Sequence, residues 1–163
     1  MQTAVPLTAS ARGLRVGIAT SRYHTEVTGR LQQGAVKAFL AAGGVDSDLL
    51  LVDAPGSFEL VAIAQALASR ADLDAVVCIG CVLTGETTHD QYICQAVANG
   101  LGAINATLGK PVAFGVLTCQ NLEQAAARAG GAKGNKGEEA MNAAIIAAQA
   151  VARVQKLPLG RPA

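Results

Sequence analysis

The chain has 163 residues, of which 51% are apolar, 15% charged and 3% aromatic, with no tryptophan and a formal net charge of +1. That length suits one domain with a modest core of small aliphatic side chains, and a balanced charge with no basic run argues against nucleic acid as a partner. No apolar stretch reaches membrane-spanning length, and Met1–Gly13 lacks the basic and apolar regions of a signal peptide, so the cytoplasm is the expected compartment. A chain this short, apolar and charge-poor is hard to cover with polar surface, which implies a homo-oligomer that buries apolar faces against further copies. The four cysteines, Cys78, Cys81, Cys94 and Cys119, stand in apolar contexts and read as reduced core residues. No metal site and no cofactor are expected.

Taken in order, Met1–Gly13 reads as an extended arm. Leu14–Thr20 is a strand, and Ser21–His24 the loop at its end. Thr25 is placed to cap a helix that presents Leu31, Gly34, Ala35, Ala38 and Phe39 on one face, and Gly43–Gly44 closes it. Leu49–Asp53 is a second strand. The turn Ala54–Glu59 leads into a helix with Leu60, Ile63, Ala64 and Leu67 inward. Ala75–Leu83 is an unbroken apolar run of strand length, the pattern of a strand buried on both faces. It breaks into Thr84–Thr88, and a helix opens there that carries Ile93, Ala96, Val97, Gly100, Leu101, Ile104 and Leu108. Gly109–Pro111 turns the chain into a fourth strand, Val112–Leu117. A short helix, Leu122–Ala129, is followed by a glycine-rich loop, Gly130–Gly137. A long helix then shows Met141, Ala144, Ile145, Ala148, Val151 and Ala152 on one stripe, and Leu157–Ala163 reads as a loose tail. The alternation of strands and helices, with no composition break, predicts a single α/β domain over 1–163, with a four-stranded parallel sheet between helices on both faces.

The loops after the strands, Ser21–His24, Ala54–Glu59, Thr84–His89 and Thr118–Asn121, should meet at one sheet edge, where open α/β sheets bind ligands. Gly80–Thr87 has the glycine spacing of a phosphate-binding P-loop, but Glu86 holds the lysine position and would repel a triphosphate. Cys78 and Cys81 have CxxC spacing inside a strand, where residues three apart face opposite ways, so a disulfide is excluded. His89 follows Gly-Glu-Thr-Thr at the ligand edge, and an imidazole there can pass protons in either direction. His24 is the weaker candidate for that role. Arg128, at the end of the short helix, either complements the helix dipole or clamps a phosphate. Lys133 and Lys136 are solvated loop charges or mobile anion contacts. Tyr23 and Phe58 stand at strand-end loops in a chain with only five aromatics, which suggests stacking on a flat ring.

Together, Pro55–Leu60, Gly80–His89, Phe114–Thr118, Glu123–Ala125 with Arg128–Gly130, and Gly134–Gly137 resemble the lumazine synthase family, over Leu14–Val154 in order and spacing. The resemblance implies a three-layer flavodoxin-like fold, pentamers or assemblies of pentamers, active sites between subunits, and an N-terminal arm that adds to a neighbouring subunit's sheet. It implies a transferase of riboflavin biosynthesis that condenses 5-amino-6-ribitylaminouracil with 3,4-dihydroxy-2-butanone 4-phosphate to 6,7-dimethyl-8-ribityllumazine, with loss of phosphate and water. It also implies a functional association with riboflavin synthase. On the family's pattern His89 is the proton donor and acceptor. Tyr23 stacks on the pyrimidine, a place where phenylalanine or tryptophan is usual, and His24 stands where asparagine is common. Ser57, Phe58 and Glu59 hold the pyrimidine and its ribityl chain, and Cys81, Val82 and Leu83 contact the pyrimidine largely through backbone. Glu86 and Thr87 bind the butanone phosphate. Phe114 and Arg128 come from the neighbouring subunit, Arg128 on the phosphate with Lys136 nearby. The alternative is a non-catalytic flavin- or lumazine-binding paralogue of the same fold.

Overall fold

In the computed structural model, which describes residues 8–157, the run Ala75–Leu83 forms the central strand β3, buried along Ala75–Cys81. Its two faces carry two separate cores. Val77, Ile79 and Cys81 join one apolar cluster, and Val76 and Cys78 join the other. Alternation along one strand thus serves two helical layers, the arrangement that a continuous apolar run encodes.

Strand β1 (Val16–Ser21) pairs on one side with β2 (Leu49–Ala54) and on the other with β3, and β4 (Val112–Cys119) pairs with β3. All pairings are parallel and the order is β2-β1-β3-β4, the expected flavodoxin-like three-layer arrangement. Helices α1 (Thr25–Ala41), α4 (Leu122–Arg128) and α5 (Lys136–Lys156) cover one face, and α2 (Leu60–Ala68) and α3 (His89–Leu108) cover the other. After β1 the chain moves to one side, to β2, and later to the other, to β3 and β4. The switch point therefore lies between β1 and β3.

Several expectations shift in detail. Thr25 does not cap α1; it is the first helical residue, and His24 precedes it in a left-handed conformation (φ 60°) with no side-chain cap bond. The helix does end at the glycine pair. Gly44 N–H donates to Phe39 C=O (3.1 Å) and Gly43 N–H, at φ 90°, to Leu40 C=O (3.0 Å), a Schellman closure. Asp46–Asp48 forms a 3-10 turn where no element was expected. The glycine-rich stretch is not an open loop. Ala129–Gly131 (β5) and Gly134–Asn135 (β6) pair antiparallel around Ala132–Lys133, and α5 begins at Lys136. Of the expected arm, residues 8–13 are irregular but attached: Ala11 is fully buried and its N–H donates to Ala42 C=O (2.9 Å). The rest of the arm, with its proposed addition to a neighbour's sheet, and the tail after Leu157 lie outside the described residues. Among the described residues no helix is long and apolar enough to cross a membrane.

The hairpin places the start of α5 against α1. Asn135 caps α5, its Oδ1 accepting from Gly137 N–H (2.9 Å) and Glu138 N–H (3.2 Å), while its Nδ2 donates to Arg30 C=O on α1 (2.9 Å). The helices approach so closely that a Cβ on Gly137 would lie 1.9 Å from the Leu31 carbonyl oxygen. Alanine normally favours a helix over glycine by about 0.5–1 kcal/mol. Gly137→Ala is nevertheless expected to destabilise by about 3 kcal/mol, because backbone has to move, and to lower Tm by roughly 6–12 °C. Gly102→Ala on α3, whose added Cβ meets nothing within 4 Å, serves as the control in the same thermal melt and should leave Tm level or raise it.

Candidate active site

The recorded pairing of β1 with β3 stops at Thr20–Ile79, yet β3 runs on to Leu83 beside β4. Beyond Gly80, the strand end Cys81–Leu83 therefore has no strand on the side that faced β1, and its peptide groups can meet a ligand there. A cleft of about 850 Å³ occupies this gap. Its walls come from the loop after β1 (Tyr23, His24), the turn after β2 (Gly56–Glu59), the end of β3 (Cys81–Leu83), the loop before α3 (Gly85, Thr87) and the start of α3 (His89, Asp90, Tyr92, Ile93, Ala96). Strand ends at the switch point thus bring together residues far apart in sequence.

Nine expected site residues meet here: Tyr23, Ser57, Phe58, Glu59, Cys81, Val82, Leu83, Thr87 and His89. His89 is the first residue of α3, on the exposed side of the cleft, and its N–H donates to Thr87 Oγ1 (3.4 Å). Ser57 is 7% exposed and its Oγ has no hydrogen-bond partner. A buried hydroxyl without a partner is costly unless a ligand completes it. Gly80 leaves room for that hydroxyl, since a Cβ there would lie 2.8 Å from it. Gly80 itself lies within β3, so Gly80–Thr87 is not a phosphate-cradling loop. Glu86 is exposed and is not among the residues lining the cleft.

Phe114, Arg128 and Lys136 are elsewhere. They line a second cleft, of about 450 Å³, along β4 and the start of α5, and it shares no lining residue with the first. Arg128 Nη1 donates to Gln124 C=O (3.1 Å), and among the described residues it forms no ion pair. Lys136 is not a loose loop charge. It opens α5, and its Nζ donates to both carboxylate oxygens of Glu139 (2.8 and 2.7 Å). The two clefts differ in charge. The first has the carboxylates Glu59 and Asp90 and no lysine or arginine in its lining, whereas the second has Arg128 and Lys136 against Glu139.

Sequence reasoning missed Tyr92, Asp90 and the cleft-facing roles of Ile93 and Ala96. Tyr92 was findable, because it lies three residues after His89 and so shares its helix face. With it, a pattern emerges. Phe39 alone of the five aromatics is in the core, while Tyr23, Phe58, Tyr92 and Phe114 are 66, 57, 69 and 44% exposed and all four line one cleft or the other.

Burial disfavours the reactive thiolate at three of the four cysteines. Burial pushes Cys78 up to about 12, and burial with Cys119 nearby pushes Cys81 up to about 11. Cys78 and Cys81 lie in opposite cores, as a strand demands. Cys94 is also raised, by burial and by Asp90, but is only half-buried. Because the thiolate is the reacting form, iodoacetamide at pH 7 should alkylate Cys94 first and leave Cys78 unmodified until the chain unfolds, as read by peptide mass spectrometry. Among the described residues no cluster of side chains is suited to a metal ion.

Comparison with known proteins agrees with this architecture. A family model described as 6,7-dimethyl-8-ribityllumazine synthase matches residues 13–152. The 6,7-dimethyl-8-ribityllumazine synthase of Thermus thermophilus is 45% identical over 136 residues, covering 83% of this chain and 87% of that protein. Its counterpart from Aquifex aeolicus is 44% identical over 136 residues, covering 83% and 88%. The Cytophaga hutchinsonii enzyme is 46% identical over 129 residues, covering 79% and 81%. With a match of this extent over a parallel sheet whose switch point opens on His89, the chain belongs to the 6,7-dimethyl-8-ribityllumazine synthase family.

Proposed function

We propose that the chain condenses 5-amino-6-ribitylaminouracil with 3,4-dihydroxy-2-butanone 4-phosphate to give 6,7-dimethyl-8-ribityllumazine, in a site completed by a neighbouring copy. The observation that carries the shared site is the division of the residues into two clefts. One has the proton-transfer group, the orphaned hydroxyl and the open strand edge. The other has the cations that a phosphate ester requires. Docking the second against the first supplies what each lacks.

The pyrimidine lies in the first cleft. Tyr23 stacks on it, the free peptide edge of Cys81–Leu83 reads its amide groups, and Ser57, Phe58 and Glu59 hold the ring and ribityl chain. Phe114 of the adjoining copy closes over it. The butanone phosphate sits between the amino end of α3, where Thr87 and the backbone beside Glu86 lie, and Arg128 of the adjoining copy, with Lys136 released from Glu139 to join it.

The pyrimidine's own 5-amino group attacks the ketone, so no enzyme lysine is needed. Water leaves as the imine forms. Loss of a proton beside the imine expels phosphate. The ribityl-bearing nitrogen then closes the ring with loss of a second water. His89 takes and returns protons through these steps. Holding two substrates in register accounts for up to roughly 7–11 kcal/mol of the barrier, and proton transfer for ~10²–10⁴-fold more, so a sparse set of side chains suffices.

On this reading the whole chain is one domain, the assembly is a pentamer or a set of pentamers, and the cytoplasmic product passes to riboflavin synthase. No observation favours a non-catalytic paralogue. The purified chain, mixed with both substrates, should form fluorescent lumazine in step with phosphate release. Binding of the pyrimidine without product would overturn the catalytic reading.

A further inference from the structure

His24 is the one non-glycine residue with positive φ among the described residues (φ 60°, ψ 51°). Histidine visits this left-handed region less readily than glycine and more readily than most residues. The helix start does not explain its presence, since the imidazole makes no cap bond to α1. Its backbone does the local work instead: His24 C=O accepts from Val27 N–H (2.9 Å) and Thr28 N–H (3.0 Å).

What the imidazole touches is Tyr23. The two ring centroids lie 4.8 Å apart with planes at 79°, an edge-to-face contact. Successive side chains normally diverge, by half a turn in a strand and by about 100° in a helix. Here the left-handed residue folds neighbouring rings onto each other. Upstream, Tyr23 N–H donates to Ser21 Oγ (3.2 Å), which fixes the backbone entering the turn. Both rings line the His89 cleft, and Tyr23 is 66% exposed, with little else to hold it.

We propose that His24 is a positioning residue for Tyr23: its left-handed backbone and the T-shaped contact of its imidazole hold the phenol ring at the cleft wall as the platform for the flat heterocycle. The inference rests on the stacking role given to Tyr23 above. It makes the Tyr-His pair a unit, so that the ring at position 23 is set by the residue that follows it.

Glycine and asparagine both accept the left-handed conformation, so His24→Gly and His24→Asn keep the turn and remove the edge contact. In the assembled enzyme each should weaken pyrimidine binding by roughly two- to tenfold, the size of one aromatic contact, as measured by calorimetric titration. The KM for the butanone phosphate and kcat should stay within about twofold, a split that general misfolding would not produce. Tyr23→Ala should weaken pyrimidine binding at least as much, and Tyr23→Ala/His24→Gly should be no weaker than Tyr23→Ala alone. Additive losses would overturn the proposal while leaving Tyr23 as the platform. Unchanged affinity in Tyr23→Ala would overturn both the proposal and the stacking role.

Discussion

His89→Ala is expected to lower kcat by ~10²–10⁴-fold, the usual worth of a positioned acid–base group, while calorimetric titration shows pyrimidine affinity changed by less than about threefold. His89 begins α3 at the open side of the cleft, where it can reach a bound ligand without being needed to pack the core. Few groups are placed to replace it. The nearby thiol of Cys81 stays protonated, pushed up to about 11 by burial and by Cys119. Of the other titratable groups lining the cleft, Glu59 and Asp90 are carboxylates and His24 packs against Tyr23. The remaining rate should be that of two substrates held together, which needs no titrating side chain. A fall in kcat of less than about threefold would remove His89 from proton transfer.

Arg128→Ala should chiefly raise the KM for the phosphate substrate, with kcat/KM falling by roughly 10–100-fold, as expected from losing a charge-assisted contact of about 1.5–3 kcal/mol. Its combination with His89→Ala is more informative. If one copy supplies His89 and the next supplies Arg128, neither variant alone has a complete site. When the two are co-assembled from equal amounts, about a quarter of the interfaces carry both native residues, as random head-to-tail pairing requires. With the phosphate substrate held well below its KM, where Arg128→Ala alone keeps about 1–10% of native activity and His89→Ala still less, mixing should raise activity to about that fraction of the native rate. Failure to recover activity, with mixed assembly shown by mass spectrometry, would mean that each chain uses its own Arg128.

The strands and helices were legible because the sheet is parallel and covered on both faces, so that Ala75–Leu83 reads as an unbroken apolar run. The hairpin at Ala129–Asn135 was not. Its turn, Ala132–Lys133, lacks the Asn-Gly or Asp-Gly signature of a two-residue connection, and glycines on either side resemble an open loop. Side-chain chemistry favours Thr25 as a cap, whereas the chain enters α1 through the backbone geometry of His24. Strand-end loops alone bring Tyr23, His24, Phe58 and His89 to one cleft; they do not place the strand end Cys81–Leu83 or the α3 residues Tyr92, Ile93 and Ala96, and of the fourth loop Thr118 and Cys119 line the other cleft. The separate placement of Phe114, Arg128 and Lys136 is implied only by family resemblance, because periodicity says which face of an element a residue occupies and not which cleft it lines.

The placement of the aromatics has a consequence for spectroscopy. With no tryptophan, Tyr23 and Tyr92 supply the chain's ultraviolet emission, and both line the His89 cleft. Of the phenylalanines, Phe39 alone is buried in the core. Tyrosine emission and near-ultraviolet circular dichroism therefore report cleft occupancy. The core, Phe39 apart, is aliphatic and silent at those wavelengths, so its melting is read most directly in the far-ultraviolet signal of the helices and sheet.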